Sequence, residues 1–384
     1  MTPRLVIENL RPRAPGGRPA KTVAGRPLRV AADVFRDGHD LLSARLLWRR
    51  ARDRKWLDSP MVPLGNDRYE TSIEPVAIGA HELVIEAWTD RFGTWRAGVM
   101  AKHQAGAPLD GEAADGAAIL ESRVPQLAKR DRPRLLGLVE RLRREEFAIS
   151  APELLAEVLD PALAEALSRL ADPTDLASAG PYPLWVDRER ALVGAWYELF
   201  PRSEGGLTGS VKRLSEVADM GFDVVYLPPI HPIGRRFRKG INNALVAGPD
   251  DPGSPWAIGG PEGGHTAIHP DLGKVSDFDR FVETAGSLGM EVALDYALQC
   301  SPDHPWLTDH PEWFHHRADG TIRYAENPPK KDQDIYPLNL WAPEPARSEL
   351  WTACKEILDY WIAHRVRIFR VDNPHTKPFP FWDW

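Results

Sequence analysis

From residue 193 onward, the chain alternates short apolar segments with segments of helical periodicity. The apolar segments are continuous rather than interleaved with polar residues, which is typical of parallel strands buried on both faces. The predicted strands are Val193–Phe200, Val224–Ile230, Glu291–Leu298 and Arg367–Asp372, and the predicted helices are Ser210–Met220, Asp277–Gly289 and Ser348–His364. This alternation restricts the fold to a doubly wound sheet or a (β/α)8 barrel.

The loops favour the barrel. Two long polar segments, residues 231–276 and 299–346, follow the carboxyl ends of the second and third predicted strands. Barrel enzymes carry their chemistry on that face. No glycine-rich phosphate-binding fingerprint follows the first strand, which disfavours a dinucleotide-binding fold. We therefore predict that residues 191–384 form the first half of a TIM barrel.

The first half of the chain has a different pattern of apolar and polar residues. Residues 1–104 hold alternating segments separated by turn sequences, which predicts an immunoglobulin-like β-sandwich, completed by a strand near 182–190. Residues 105–180 repeat Ala and Leu at helical spacing and predict an α-helical insert. The predicted segments are the strands Leu28–Val34, Ala44–Trp48, His81–Thr89 and Pro183–Arg188 and the helices Glu112–Arg123, Pro133–Arg143 and Pro152–Ala171. The sandwich gathers no cluster of acid, base or metal-ligating residues, so we expect it to be structural or accessory.

Charge and composition narrow the class of partner. The 48 Lys and Arg residues against 55 Asp and Glu residues give a net charge of −7, which argues against nucleic acid as the main partner. No apolar run is long enough for a membrane span, and the first residues, MTPRLVIENLRPRAP, do not resemble a signal peptide. Two cysteines do not make a disulfide framework. We therefore expect a cytoplasmic protein with no membrane partner.

The segment RIFRVDNPHTKP (367–378) carries the strongest chemical signal. Arg370 and Asp372 are two positions apart on the fourth predicted strand, so both point to the same face. An arginine beside a carboxylate stabilises its charged form, which suits a nucleophile better than a general acid. Asp295 ends the third predicted strand at the corresponding depth and could pair with Arg370. Taken alone, the segment is also compatible with a structural ion pair at a strand end.

These strands together resemble the α-amylase superfamily of retaining glycosidases and transglycosylases. The second strand continues as DVVYLPPIHPIG, which includes His231, and the third ends as ALDYALQC. Further motifs are similar to one subgroup, the α-1,4-glucan:maltose-1-phosphate maltosyltransferases, in which Gln299-Cys300 replaces the Asn-His of ordinary amylases. These motifs are FRKGINN (237–243), GSPWAIG (253–259), EGGHTAIHPDLG (262–273), QCSPDHPW (299–306), ENPPKK (326–331), QDIYPLN (333–339) and FRVDNPHTKP (369–378).

The resemblance implies a two-step retaining transfer from α-maltose 1-phosphate to the non-reducing end of an α-1,4-glucan. Asp372 would be the nucleophile, and Arg370 and Asp295 would orient it. A phosphorylated donor needs cations and amide donors near the nucleophile. Residues at family positions that contact the donor are Lys239, Asn327, Lys330 and Asn373. Gln299 could bind a sugar hydroxyl or the phosphate, and His304 could orient the sugar or neighbouring loops.

Two positions depart from the family pattern. Asp332 stands where the family has tyrosine, and a carboxylate there would repel the donor phosphate unless it is turned away or paired with a lysine. Tyr296 stands where phenylalanine is usual, which is a milder change. The resemblance also implies a homodimer as the assembly.

A retaining enzyme further needs a carboxylic acid about 5–5.5 Å from the nucleophile. In the family it comes from the fifth barrel strand, whereas four strands are predicted here and Asp383 merely follows the fourth. We therefore expect the chain to be the N-terminal portion of such an enzyme and to be inactive alone. We expect no cofactor, and no zinc-like spacing is found among His265, His269, His304, His315 and His316.

Two other functions remain open at this stage. A hydrolase or trehalose-forming relative would use the same nucleophile, and the phosphorylated and unphosphorylated donors would distinguish it from a maltosyltransferase. A noncatalytic glucan-binding protein could use the sandwich and the tryptophan-rich loops, because sugar rings stack on aromatic side chains. Such a protein would bind soluble glucan without cleaving it.

Overall fold

The computed structural model describes residues 4–109, 111–144 and 152–384. The chain divides into two compact units, Met1–Leu192 and Val193–Trp384. The first unit contains β1 (Leu5–Arg11), β2 (Ala20–Val23), β3 (Leu28–Arg36), β4 (Leu42–Arg50), β5 (Leu57–Gly65), β6 (Arg68–Ile73), β7 (Gly79–Thr89), α1 (Arg91–Gln104), α2 (Glu112–Arg123), α3 (Arg132–Arg144), α4 (Pro152–Val158), α5 (Pro161–Ser168) and β8 (Ala177–Asp187).

The strands of the first unit form one sheet in the order β1-β3-β6-β5-β4-β7-β8-β2. Neighbouring strands are antiparallel except β2 and β8. Within β5, residues 57–61 pair with β4 whereas residues 62–65 pair with β6. Because β1 also lies close to β7 and β8, the sheet folds over and encloses one apolar core, which includes Val30, Leu46 and Ile85.

The helices of the first unit pack around a second apolar core, and two sequence-based predictions about them are wrong. Helix α1 lies inside the segment predicted as β structure, because Asp90 caps its first turn by accepting from the Gly93 amide at 2.8 Å and Phe92 is buried in the helical core. The predicted helix Pro152–Ala171 is two helices, because Asp160 caps α5 and Pro161 lacks an amide hydrogen. Residues 110 and 145–151 of the predicted helical insert lie outside the described residues.

The second unit contains β9 (Trp196–Glu198), α6 (Gly206–Asp219), β10 (Val224–Leu227), α7 (Val275–Ser287), β11 (Glu291–Tyr296), β12 (Gln299–Cys300), α8 (Trp306–Asp309), β13 (Ala325–Asn327), β14 (Lys330–Asp332), β15 (Tyr336–Pro337), α9 (Ala346–Ala363), β16 (Ile368–Val371) and α10 (Phe379–Asp383). Strands β9, β10, β11 and β16 form a parallel sheet in that order. Successive strands lie side by side without the reversal of order found in doubly wound sheets. The arrangement therefore fits part of a barrel, as the sequence predicts.

The burial of their side chains explains the positions and lengths of strands β9 and β11. Every residue of β11 except its first is buried, and helices α7 and α9 contribute Phe278, Phe281 and Trp361 to the same core. Strand β9 is shorter than the predicted Val193–Phe200, because it lies at the edge of the sheet, pairs with β10 over three residues, and leaves Val193 71% exposed. Across the described ranges, we find no helix with the length and apolar character needed to cross a bilayer.

Candidate active site

The pairing of β11 with β16 brings two of the predicted site residues together. Asp295 and Arg370 are direct partners in this parallel register, close to the carboxyl ends of both strands. The Arg370 Nη1 donates to Asp295 Oδ2 at 3.2 Å and to Asp372 Oδ1 at 2.7 Å. One guanidinium group therefore connects the two carboxylates.

Asp372 is the first residue after β16, and both of its carboxylate oxygens have donors. Arg370 donates to Oδ1, and the Asn373 Nδ2 donates to Oδ2 at 3.0 Å. Asn373 has a φ of 45°, a left-handed conformation that Asn adopts more readily than most residues. The backbone oxygen of Asp372 also accepts from Lys377 Nζ at 3.3 Å. These contacts fix the orientation of the Asp372 side chain.

The side chain of Asp295 is fully buried. Its Oδ2 accepts from Tyr226 Oη at 2.5 Å and from Trp256 Nε1 at 3.4 Å, in addition to Arg370. Burial raises the pKa of Asp295 to about 6, against the opposing effects of Tyr226 and Arg370. Burial, followed by the bond to Asp295, raises the pKa of Tyr226, which therefore stays a donor. Asp295 thus positions Arg370 and does not reach the cavity described next.

A cavity of about 440 Å³ opens beside Asp372. Five of the residues predicted from the sequence line it: Lys239, Gln299, Lys330, Asp372 and Asn373. Arg370 and Asp295 are not among its lining residues and are connected to it through their bonds to Asp372 and Trp256, respectively. Asn327 is exposed on the hairpin of β13 and β14, opposite Lys330 in register, and is not part of the lining. We call this space the Lys239 cavity.

The charged groups of the Lys239 cavity are largely paired with one another. Lys239 is 5% exposed, and its Nζ donates to Asn243 Oδ1 at 2.6 Å and to Asp332 Oδ1 at 2.7 Å. The Nζ of Lys330 lies 3.7 Å from the same oxygen. Asp332 is therefore paired with lysine, which meets one of the two conditions under which a carboxylate fits there. Asp334 lines the same cavity and is 2% exposed.

A second cavity of about 460 Å³ adjoins the first. Gln299 and Asn373 line both cavities, so they lie where the two meet. The second cavity is also lined by Arg323 and Lys377, and we call it the Arg323 cavity. Burial lowers the pKa of Lys377 against the attraction of the nearby Asp372.

His304 lies away from both cavities, in a buried cluster that could hold a metal ion by distance alone. Ligand atoms of His265, Cys300 and His304 lie within 4.8 Å of one another. However, the Trp306 amide donates to His304 Nδ1 at 3.1 Å, which leaves the proton on His304 Nε2 to donate to His265 Nδ1 at 3.1 Å. His265 Nε2 donates to the Ala297 oxygen at 2.9 Å.

Every nitrogen of these two imidazoles is thus used in a directed chain of hydrogen bonds, which does not fit a metal site. Burial lowers the pKa of His304 to about 3, so the ring is uncharged. The ring fits between two glycines: a Cβ on Gly259 or on Gly264 would lie 2.3 Å from it. His304 therefore packs against the loops around it and lines neither of the two cavities.

Four groups of the site are absent from the sequence-based set. Tyr226 and Trp256 bind Asp295, Asn243 binds Lys239, and Asp334 lines the cavity. Trp256 and Asn243 lie in the motifs GSPWAIG and FRKGINN, so their positions carried a signal. Tyr226 and Asp334 also lie in quoted motifs, DVVYLPPIHPIG and QDIYPLN (333–339), but neither motif indicates which of its residues contacts the site.

Comparison with known proteins identifies the family to which the chain is similar. A family model described as "Alpha-1,4-glucan:maltose-1-phosphate maltosyltransferase, domain N/S" matches residues 3–188. A protein of Streptomyces coelicolor, named Alpha-1,4-glucan:maltose-1-phosphate maltosyltransferase 1, is 49% identical over 391 residues, covering 99% of this chain and 57% of that protein. A protein of Cereibacter sphaeroides, named Alpha-1,4-glucan:maltose-1-phosphate maltosyltransferase, is 46% identical over 390 residues, covering 99% of this chain and 64% of that protein.

A solved α-amylase from Lactobacillus plantarum is 33% identical over 49% of this chain and 40% of that chain, with a TM-score of 0.41. The first unit thus matches a domain of the maltosyltransferases, and the similarity to whole relatives extends through the second unit. The chain belongs to the α-1,4-glucan:maltose-1-phosphate maltosyltransferase family. It spans about 57–64% of the length of these relatives.

Proposed function

We propose that this chain carries the nucleophile and the donor-binding groups for maltosyl transfer from α-maltose 1-phosphate to the non-reducing end of an α-1,4-glucan. The observation that carries the proposal is Asp372, whose two oxygens are held by Arg370 and Asn373 at the wall of the Lys239 cavity. A fixed, charge-stabilised carboxylate beside a polar cavity is suited to covalent attack on a bound sugar.

The reaction would proceed in two displacements. An oxygen of Asp372 attacks the anomeric carbon, the bond from that carbon to the phosphate oxygen breaks, and phosphate leaves with the electron pair. The 4-hydroxyl of the glucan then attacks the same carbon, loses its proton to a base and releases Asp372. Two inversions give net retention. Arg370 stabilises Asp372 as the charged nucleophile before attack and after release.

The acid/base of this reaction is not assigned to Asp295 or Asp332. Asp295 is fully buried and bonded to Tyr226, and Asp332 is paired with Lys239. Neither is free to protonate a leaving oxygen. We therefore propose that the chain by itself binds the donor and does not release phosphate from it. Phosphate release by the purified chain, lost in Asp372→Ala, would contradict this part of the proposal.

A donor that needs no acid tests the nucleophile directly. Fluoride departs without protonation, so 2-deoxy-2-fluoro-α-maltosyl fluoride should form a stable ester with Asp372 even without an acid/base. We expect the intact mass to rise by one fluoromaltosyl group and peptide mapping to place it on Asp372. Asp372→Asn, which retains the hydrogen-bonding shape, should remain unlabelled. Labelling of another residue, or equal labelling of the variant, would refute the assignment.

We also propose that the folded-over sheet of the first unit is an immunoglobulin-like sandwich and that α1–α5 form an insert between β7 and β8. Support comes from the enclosed single core of the sheet and from the separate apolar core of the helices. In this proposal the first unit is structural or accessory, and the chemistry belongs to the second unit.

A further inference from the structure

We propose that Asp303 is a positioning residue for the candidate active site. Its carboxylate fixes the loop that carries Lys239, and its amide is joined through Ser301 to the loop that carries Trp256. This inference rests on the proposed function, because it concerns how groups beside Asp372 are held in place. Three observations carry it: the donors to Asp303, a strained residue next to this anchor, and the packing at Ser301.

The carboxylate of Asp303 binds the start of residues 234–247, which we call the Lys239 loop. Its Oδ2 accepts from the amides of Arg235 and Arg236 at 2.6 and 2.8 Å, and its Oδ1 accepts from Arg236 Nε at 2.6 Å. Burial acts to raise the pKa of Asp303, but the bonds from Arg236 and Arg235 leave that pKa lowered. The carboxylate is therefore charged at neutral pH, and charged acceptors make the stronger hydrogen bonds.

A strained residue lies between this anchor and Lys239. Phe237 has a φ of 54°, a left-handed conformation that is unfavourable for a bulky side chain, and the residue is 59% exposed, so packing does not offset the cost. Its backbone is held from both sides, because Asp303 binds the preceding residue and Gln333 Nε2 donates to the Phe237 oxygen at 3.2 Å. Such strain persists where the surrounding structure fixes the backbone. Lys239 follows two positions later, so its placement depends on the anchor.

Ser301 connects the same anchor to a second loop. Ser301 is fully buried, and its hydroxyl accepts from the Asp303 amide at 3.0 Å and donates to the Gly259 oxygen at 2.5 Å. A Cβ on Gly234 would lie 2.4 Å from the Ser301 side chain, so the Lys239 loop packs directly against Ser301. Three loops therefore meet at this point.

The second loop contacts the strand ends of the site. Trp256 lies three positions before Gly259, its oxygen accepts from Gln299 Nε2 at 3.2 Å, and its Nε1 donates to Asp295 Oδ2 at 3.4 Å. Asp303 itself is outside the linings of both cavities in the part of the chain that the structure describes. It therefore acts through the two loops and not by contact with a ligand.

The surroundings of Asp303 predict a local effect when it is replaced. Asp303→Asn keeps the size of the side chain but replaces one acceptor oxygen by an amide group. Arg235 and Arg236 are exposed residues, so water can solvate the amides that are freed. We expect faster hydrogen exchange in residues 234–247 and little change in the denaturant midpoint of the whole chain.

The test uses the labelling of Asp372 by 2-deoxy-2-fluoro-α-maltosyl fluoride. The dependence of the labelling rate on reagent concentration gives a half-saturating concentration and a maximal rate. Asp303→Asn should raise the half-saturating concentration about tenfold, because the displaced loop binds the sugar poorly, and should leave the maximal rate within about twofold, because Arg370 and Asn373 still hold Asp372. Arg236→Gln removes only the side-chain donor and should give a smaller rise.

Asp319→Asn is the matched control. Asp319 also accepts a loop amide, that of Thr321 at 3.0 Å, and across the described ranges it lies outside the linings of both cavities. An unchanged half-saturating concentration in Asp303→Asn, or an equal rise in Asp319→Asn, overturns the positioning role and leaves the proposed nucleophile standing. If Asp303→Asn does not fold, Arg236→Gln decides, and an unchanged half-saturating concentration there overturns the role.

Failure of the wild-type chain to be labelled at Asp372 overturns the proposed function, and this inference with it. Because that result needs no variant, the failure of the proposed function and the failure of the positioning role are distinguishable.

Discussion

Two buried aspartates, one in each unit, are treated in opposite ways. In the first unit, Asp172 accepts from the buried Arg123 at 3.0 Å and from the amide and hydroxyl of Thr174, and it forms an ion pair with Arg91 at 2.9 Å. In the second unit, Asp334 is equally buried, and its oxygens have no partner in the part of the chain that the structure describes. Burial raises the pKa of Asp334. Burial also acts to raise the pKa of Asp172, but the hydrogen bonds from Thr174 and the charges of Arg123 and Arg91 leave that pKa lowered.

The difference between these two aspartates distinguishes a buried charge that stabilises the fold from one that is suited to binding a ligand. A buried carboxylate with a complete set of donors makes the fold depend on it, because removing it leaves its partners unpaired. A buried carboxylate without donors lowers stability, which is tolerated where a ligand supplies the missing bonds. The first unit holds its buried charge in the first way. In the second unit, Asp334 is a buried carboxylate without donors among the described residues, and it lines the same cavity as the candidate nucleophile Asp372.

The largest effect is expected at Asp172. Asp172→Asn keeps the shape of the side chain but leaves the guanidinium of Arg123 buried without a counter-charge, which should cost about 3–5 kcal/mol of unfolding free energy. Denaturant titration followed by hydrogen exchange of α2 peptides measures the loss. Arg91→Gln removes the exposed partner of the same aspartate and should cost less than about 1 kcal/mol. Similar losses in the two variants would break the comparison.

Three buried histidines of the second unit differ from both aspartates, because burial keeps their imidazole rings uncharged. Burial lowers the pKa of His231 to about 4, that of His304 to about 3, and that of His265 as well. The unfolded chain binds more protons than the folded chain below about pH 6.5, so the stability of the second unit should fall as the pH drops. Asp295, whose pKa is raised, opposes this trend between about pH 4 and 6.

Replacing one histidine sharpens this prediction. His304→Gln retains an acceptor and a donor but cannot take up a proton. The slope of unfolding free energy against pH between about 6 and 5 should therefore fall by about 1.4 kcal/mol per pH unit. Denaturant titrations at several pH values measure the slope. Parallel curves for the wild type and the variant would show that His304 is not held uncharged in the fold.

The smallest effect is expected at Asp334. Asp334→Asn removes an unpaired buried charge and should raise the unfolding free energy at neutral pH by about 1 kcal/mol. The gain should disappear as the pH falls and the wild-type carboxyl becomes protonated, because its raised pKa makes the neutral form the stable one. Asp332→Asn is the matched variant: it breaks the pair with Lys239 and should destabilise. A loss of stability in Asp334→Asn at neutral pH would contradict the comparison.

The part of the site that lies on strands was predictable from the sequence. Arg370 and Asp372 share a face because side chains alternate along a strand, and Asp295 meets them because parallel strands end at one edge. The bond between Lys239 and Asp332 spans 93 positions, from an irregular loop to the short strand β14, and no periodicity predicts such a pairing. Helix α1 was missed although Asp90 is a local capping signal, because its burial against α2 is a tertiary contact that the sequence pattern does not show.

Asp334 shows a further limit. A sequence pattern indicates which residues are polar, but it does not indicate which polar residue is buried without a partner. That property depends on the residues that surround it in three dimensions. It was therefore visible only in the structure.

The register of β11 and β16 also has a consequence for the order of folding. Asp295 and Arg370 are adjacent in space and 75 positions apart in the chain, so the site forms only after a long loop has been closed. Asp372 would become correctly placed late, when β16 docks. A ligand that contacts both strands would then bind only the completed sheet, and its presence would slow unfolding and leave the early folding rate unchanged.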